Sequence, residues 1–273
     1  MKNEKTYELV LTALFTAIIV IMAFTPLGYI PLVVINATVI HIPVILGALF
    51  LGPKKGAFLG FVFGLTSFIN NTFKAATASA FVFSPVLAAN VVGVSGIFKS
   101  TYICFVPRIL VGIIPYFVYI LIRRLLKSEQ KVWRVVINAA AAVILFISVR
   151  AFADRMIDDA GSMIGTMIGL VLGIILFVVL TVTVGKKNAA SISLAYAGLA
   201  GAFTNTLFVM SGIFVLYKDA YAQAVGVAGD AVIDVIMGVV SFNGIVEAVV
   251  AAILIAGVGL ALTKVKPIKG MKD

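Results

Sequence analysis

Apolar runs separated by short polar punctuation recur from one end of this chain to the other. Eight can be marked: Leu9–Phe24, Val39–Leu51, Gly56–Phe68, Tyr102–Leu121, Val132–Val149, Gly161–Val184, Ile192–Tyr217 and Val239–Leu262. A helix needs about 20 apolar residues to cross the hydrocarbon layer. The second and third runs are shorter and are parted only by Gly52-Pro53-Lys54-Lys55-Gly56. Two lysines in a Pro/Gly turn cannot stay unsatisfied in hydrocarbon, so that turn lies at a surface and the runs count as separate passes. The pattern predicts an all-α integral membrane protein with about eight membrane helices.

Composition agrees. Hydrophobic residues are 62% of the 273 positions, charged residues only 12%, and the mean hydropathy is +1.18. A soluble domain carries roughly 25% charged residues. No soluble module interrupts the runs, so residues 1–273 form a single membrane domain. The lone cysteine, Cys104, excludes an intramolecular disulfide and a Cys-based metal cage. A net charge of +10 would suit nucleic acid. Here the basic residues instead form short clusters between apolar runs, which makes them topology signals. With the N-terminus in the cytoplasm, fifteen of the 21 Lys and Arg fall inside. Five fall outside (Lys74, Lys99, Arg150, Arg155 and Lys218), and Arg108 lies within a run. That bias predicts an even number of crossings and two cytoplasmic termini. Met1–Lys5 followed by Val10–Phe24 has the outline of a signal peptide but no clean small-x-small cleavage site, so it is expected to stay as the first helix.

Three outward connections are unusual. Thr25–Thr38 holds Pro26, Gly28 and Pro31 and is otherwise nearly all apolar, while Asn70–Ser100 and Lys218–Gly238 are long. Either residues such as Tyr29 and Phe81 anchor them at the interface, or they form a lid over an outward-facing pocket.

Ionisable groups within the bilayer are costly and tend to be functional. Here they are His41, Arg108 and Glu247, with Asn205 and Asn243 as uncharged companions and Asn70 and Asn71 closing the third run. At about 1.5 Å per residue, Arg108 and Glu247 lie roughly 10–12 Å below the outer surface, so the polar set shares the outer leaflet. Arg108 and Glu247 either pair with each other or grip a ligand, Arg108 taking a carboxylate in bidentate fashion. Asn243 and Glu247, spaced i, i+4, share a face in an α-helix. Asn205 suits a ligand or a helix–helix hydrogen bond, and His41 a proton relay or a simple polar contact. Asp154, Asp158 and Asp159 accompany Arg150 and Arg155 as a solvated charge cluster. No P-loop, HExxH, GxSxG or Cys/His metal spacing occurs, so neither an enzyme nor a bound cofactor is expected. Ala13 and Ala17 form a small-xxx-small pair on the first helix, where another helix can approach closely.

Several stretches resemble one known family. They are Thr25-Pro-Leu-Gly-Tyr-Ile-Pro-Leu, Asn36-Ala-Thr-Val-Ile-His-Ile-Pro-Val-Ile-Leu-Gly-Ala and Leu51-Gly-Pro-Lys-Lys-Gly-Ala-Phe-Leu-Gly, then Ser67-Phe-Ile-Asn-Asn-Thr, Phe81-Val-Phe-Ser-Pro, Pro107-Arg-Ile-Leu-Val-Gly and Gly198-Leu-Ala-Gly-Ala-Phe-Thr-Asn-Thr. Together they resemble the substrate-binding S component of energy-coupling factor (ECF) vitamin transporters, and most closely its pantothenate branch. The resemblance implies a six-helix core over about 7–126 and 190–263, with 132–185 as an inserted two-helix hairpin. It implies an anionic vitamin bound from outside under capping loops, with Arg108, Glu247, Asn243, Asn70, Asn71, Tyr29, His41 and Asn205 as candidate binding residues. It also implies docking through Ala13 and Ala17 onto a transmembrane coupling subunit that works with two cytoplasmic ATPases, all in the cell membrane. Two readings stay open beside it: an S component for folate or riboflavin, and a standalone proton-coupled transporter of a small organic anion using Glu247 or His41.

Overall fold

The computed structural model describes residues 2–31, 36–75, 77–128, 131–156, 161–183 and 188–270. Helices dominate: α1 (Lys2–Phe24), α2 (His41–Leu51), α3 (Pro53–Phe73), α4 (Pro85–Val92), α5 (Val94–Val111), α6 (Ile114–Lys127), α7 (Lys131–Met156), α8 (Gly161–Thr183), α9 (Ala189–Val225), α10 (Val232–Val239) and α11 (Ile245–Thr263). Among the described residues seven helices are long and apolar enough to cross a membrane, with α5 and α6 counted as one run. The eighth expected pass, α2, has only 11 residues and is about 16 Å long. It is short because every one of its residues is buried in protein, where non-helical backbone can complete the traverse without meeting lipid. That backbone is a three-pair antiparallel ladder, β1 (Tyr29–Pro31) with β2 (Asn36–Thr38), in register Tyr29↔Thr38.

Two stretches expected as outer loops are largely helical. Within Asn70–Ser100, α3 runs on to Phe73, a 3₁₀ turn covers Ala78–Phe83, and α4 and α5 follow. Ser84 caps α4 by accepting the Leu87 N–H at 3.3 Å, and Gly93 at φ 74° makes the break before α5. Phe81 is not an interfacial anchor. It is buried against Ile103, Val209 and Tyr217, and the Tyr217 hydroxyl lies 2.6 Å from Ser100 Oγ and 2.9 Å from the Gly96 carbonyl. Within Lys218–Gly238, α9 bends at Tyr217 and continues to Val225, where Gly226 in the left-handed region closes it.

Glycine sets the closest helix contacts. Gly56, Gly60 and Gly64 lie one turn apart on α3 against Gly112, which closes α5, and Arg108 and Cys104 within it, and a Cβ on Gly60 would run into the Arg108 carbonyl. Gly198 of α9 meets the Ala251 backbone of α11 in the same way. Such small-residue seams let backbones touch where lipid offers no hydrophobic drive. Hairpin α7–α8 packs chiefly on itself. It joins the core through Leu126, Ile137 and Ala189 and through the Tyr196 hydroxyl, which donates to the Ile137 carbonyl at 2.5 Å. At the end bearing Lys55, the segment after α11 tucks back in. Ile268 is buried, the Lys269 N–H donates to the Leu49 carbonyl at 3.1 Å, and Glu8 accepts from both Lys55 and Lys269.

Candidate binding cavity

At the opposite end, where Lys74, Lys99 and Lys218 lie, six elements enclose a cavity of about 210 Å³. Helix α3 supplies Phe63, Thr66, Ser67, Asn70 and Asn71, positions that recur on one helical face. The glycine seam presses that face against α5 and so brings Arg108 into the lining. Ala23 ends the α1 wall, Thr38 and Ile40 come from β2 and its exit, Phe83 from the 3₁₀ turn, and Asn205 from α9.

The Arg108 guanidinium lies 5.0 Å from the Phe83 ring and 5.6 Å from the Phe63 ring, and donates to the Ile103 carbonyl at 2.7 Å. Aromatic faces stabilise a desolvated cation electrostatically and leave its planar fork suited to a carboxylate. The amides are arranged as acceptors. Asn70 spends its Nδ2 on the Ala23 carbonyl (3.0 Å) and Asn71 its Nδ2 on the Ser67 carbonyl (2.8 Å). The side-chain oxygens of Asn70 and Asn205 are buried without a hydrogen-bond partner among the described residues. Buried acceptors left unmade are costly, which marks both as places where a donor is missing.

Of the residues singled out in the sequence, Arg108, Asn70, Asn71 and Asn205 meet at this cavity. Glu247, Asn243 and His41 are not among its described lining. Glu247 stands behind it, accepting the Thr38 N–H at 2.8 Å and the Thr206 hydroxyl at 3.5 Å. Asn243 belongs to a π turn, Val240–Gly244, that leads into α11 and Glu247. His41 opens α2, 1% exposed, with neither ring nitrogen hydrogen-bonded among the described residues. The Tyr29 side chain, Asp158 and Asp159 and the side chains of Asp154 and Arg155 lie outside the described residues. Thr66 and Ser67 join the lining as well, one helical turn before Asn70 and Asn71. Phe63, Phe83 and Thr38 carried no comparable signal. Ala13 and Ala17 are exposed on α1, in an open apolar groove completed by Phe58 of α3. Among the described residues no cluster of His, Cys, Asp and Glu is placed to hold a metal.

Seven helices long and apolar enough to span a bilayer among the described residues, four of which wall a small cation-bearing cavity, define a multi-pass membrane protein. The family model for the ECF transporter substrate-specific component matches residues 8–153, more than half of the chain, and the chain belongs to that family. It is therefore a transport protein of the cell membrane. Two curated relatives are similar over part of their length. The pantothenic acid transporter PanT of Lactococcus lactis subsp. cremoris is 43% identical over 128 residues, 44% of this chain and 61% of that protein. The pantothenate transporter PanT of Leuconostoc mesenteroides subsp. mesenteroides is 36% identical over 119 residues, 42% of this chain and 51% of that protein. The matches thus span less than two thirds of either relative.

Proposed function

We propose that this chain captures pantothenate in the Arg108 cavity and hands it inward as the vitamin-binding subunit of an ECF importer. The observation that carries the reading is the meeting of the Arg108 guanidinium with the unpartnered amide oxygens of Asn70 and Asn205 in one cavity. Pantothenate offers a carboxylate for the first, and an amide N–H and two hydroxyls for the others. A volume of about 210 Å³ lies below the usual range for drug-sized ligands and favours this vitamin over the larger riboflavin and folate. The names of the two relatives point the same way. Asn71, Thr66 and Ser67 contribute polar edges, Tyr29 is a further binding residue, and Glu247, Asn243 and His41 serve from outside the described lining.

Both termini lie in the cytoplasm and the cavity opens outward. Lys55 and Lys269 share the end remote from the cavity, as the positive-inside rule requires. The core (7–126 and 190–263) carries binding and the hairpin (132–185) is accessory, in keeping with a described lining drawn wholly from the core. A transmembrane coupling subunit seats on the exposed Ala13–Ala17 groove, and two ATPases supply the energy.

The purified chain in lipid nanodiscs is expected to bind radiolabelled pantothenate saturably. Arg108→Ala should weaken binding by roughly tenfold or more, the contribution of a charge-assisted hydrogen bond. Unchanged affinity in Arg108→Ala overturns the carboxylate assignment. Tight riboflavin or folate binding without pantothenate binding overturns the substrate. Uptake that survives deletion of the ATPases but collapses with a protonophore overturns the importer reading.

A further inference from the structure

Glu247 meets the cavity wall at Thr38. Glu247 is 7% exposed, and its bond to the Thr38 N–H joins positions 209 residues apart. Thr38 is at once a lining residue and the last residue of β2, half of a ladder only three pairs long. A two-stranded ladder is marginal by itself and needs a tertiary anchor. The anchor is placed firmly: Gly244 packs so closely on Thr206 that an added Cβ would lie 2.9 Å from its methyl carbon, and Thr206 supplies the carboxylate's second donor. The acceptor is thus held in part by the α9–α11 contact.

We infer that Glu247 is a positioning residue that holds Thr38, and with it the β2 wall of the cavity, as a hydrogen-bond acceptor, and so sets how long a bound ligand is retained. The inference rests on the cavity being the pantothenate site. A residue gripping the ligand or balancing Arg108 acts through its charge, whereas a wall anchor acts through reach and an oxygen atom. Glu247→Gln keeps the reach and the oxygen, and its amide can donate to the Thr206 hydroxyl, but it loses the charge. Glu247→Asp keeps the charge and is one methylene short.

Two readouts on the full chain in nanodiscs decide between these roles. One is the rate of pantothenate release in a chase. The other needs no ligand: labelling by a water-soluble maleimide of Ser67→Cys, a reporter on the lining, in a Cys104→Ala background. Glu247→Gln is expected to release and label like the parent. Glu247→Asp should release roughly tenfold faster, as for a lost hydrogen bond, with association unchanged and labelling accelerated. Thr206→Val, which leaves the carboxylate but removes one of its donors, should move both readouts less and in the same direction; it serves if the Asp variant fails to fold. A Gln variant impaired while Asp behaves like the parent overturns the inference, as does labelling that none of the three changes. If the parent binds no pantothenate, the substrate reading falls and labelling still decides the role of Glu247.

Discussion

Arg108 is carried in a layer where a charged side chain at a helix centre costs about 2.5–3.5 kcal/mol on insertion scales. Two aromatic rings within 6 Å and the Ile103 carbonyl offset part of that cost. The ring sandwich suits a flat guanidinium and not a round ammonium, so Arg108→Lys is not conservative here. It should lower pantothenate affinity roughly tenfold or more while the chain still folds; equilibrium binding beside a thermal melt checks both halves. At this scale the sequence was informative about polarity and silent about aim. Arg108, Asn70, Asn71 and Asn205 stood out because polar groups are rare in apolar runs. Their neighbours Thr66 and Ser67 were equally legible by helical spacing. The Thr38 link to Glu247 was not, because a backbone N–H carries no residue signature.

The helices themselves were largely visible as apolar runs, and their ends were not. Apolarity cannot separate a spanning helix from a short one buried on every side, as in α2, nor an apolar loop from a 3₁₀ turn packed under α4. Spacing did hold one unread signal, Gly56-Gly60-Gly64. Gly60→Ala should press on the Arg108 carbonyl, costing about 1–3 kcal/mol as overpacking and displacing the guanidinium. Thermal stability in detergent and pantothenate affinity are both expected to fall. Gly257→Ala on α11, where nothing stands within 4 Å, is the control and should leave both unchanged.

Across the whole molecule the cavity and the Ala13–Ala17 groove occupy different surfaces. Binding and docking can therefore be separated. Ala17→Trp fills the groove, so the isolated chain should bind pantothenate as the parent does while uptake by cells expressing the partner subunits is abolished. Transport assays beside equilibrium binding test this, and normal uptake removes the docking proposal. The folded-back segment around Ile268, with Glu8 held between Lys55 and Lys269, braces the N-terminal end of α1 beside that groove.

Sequence by itself determined the solvent of this protein, its count of inserted segments, the side bias of its charges, and which few polar residues the bilayer would tolerate. All follow from transfer free energies that act residue by residue. Only the tertiary structure decided that four of those residues share one cavity while Glu247 stands behind its wall. That outcome depends on where glycine seams let backbones touch, which is not a property of any residue taken alone.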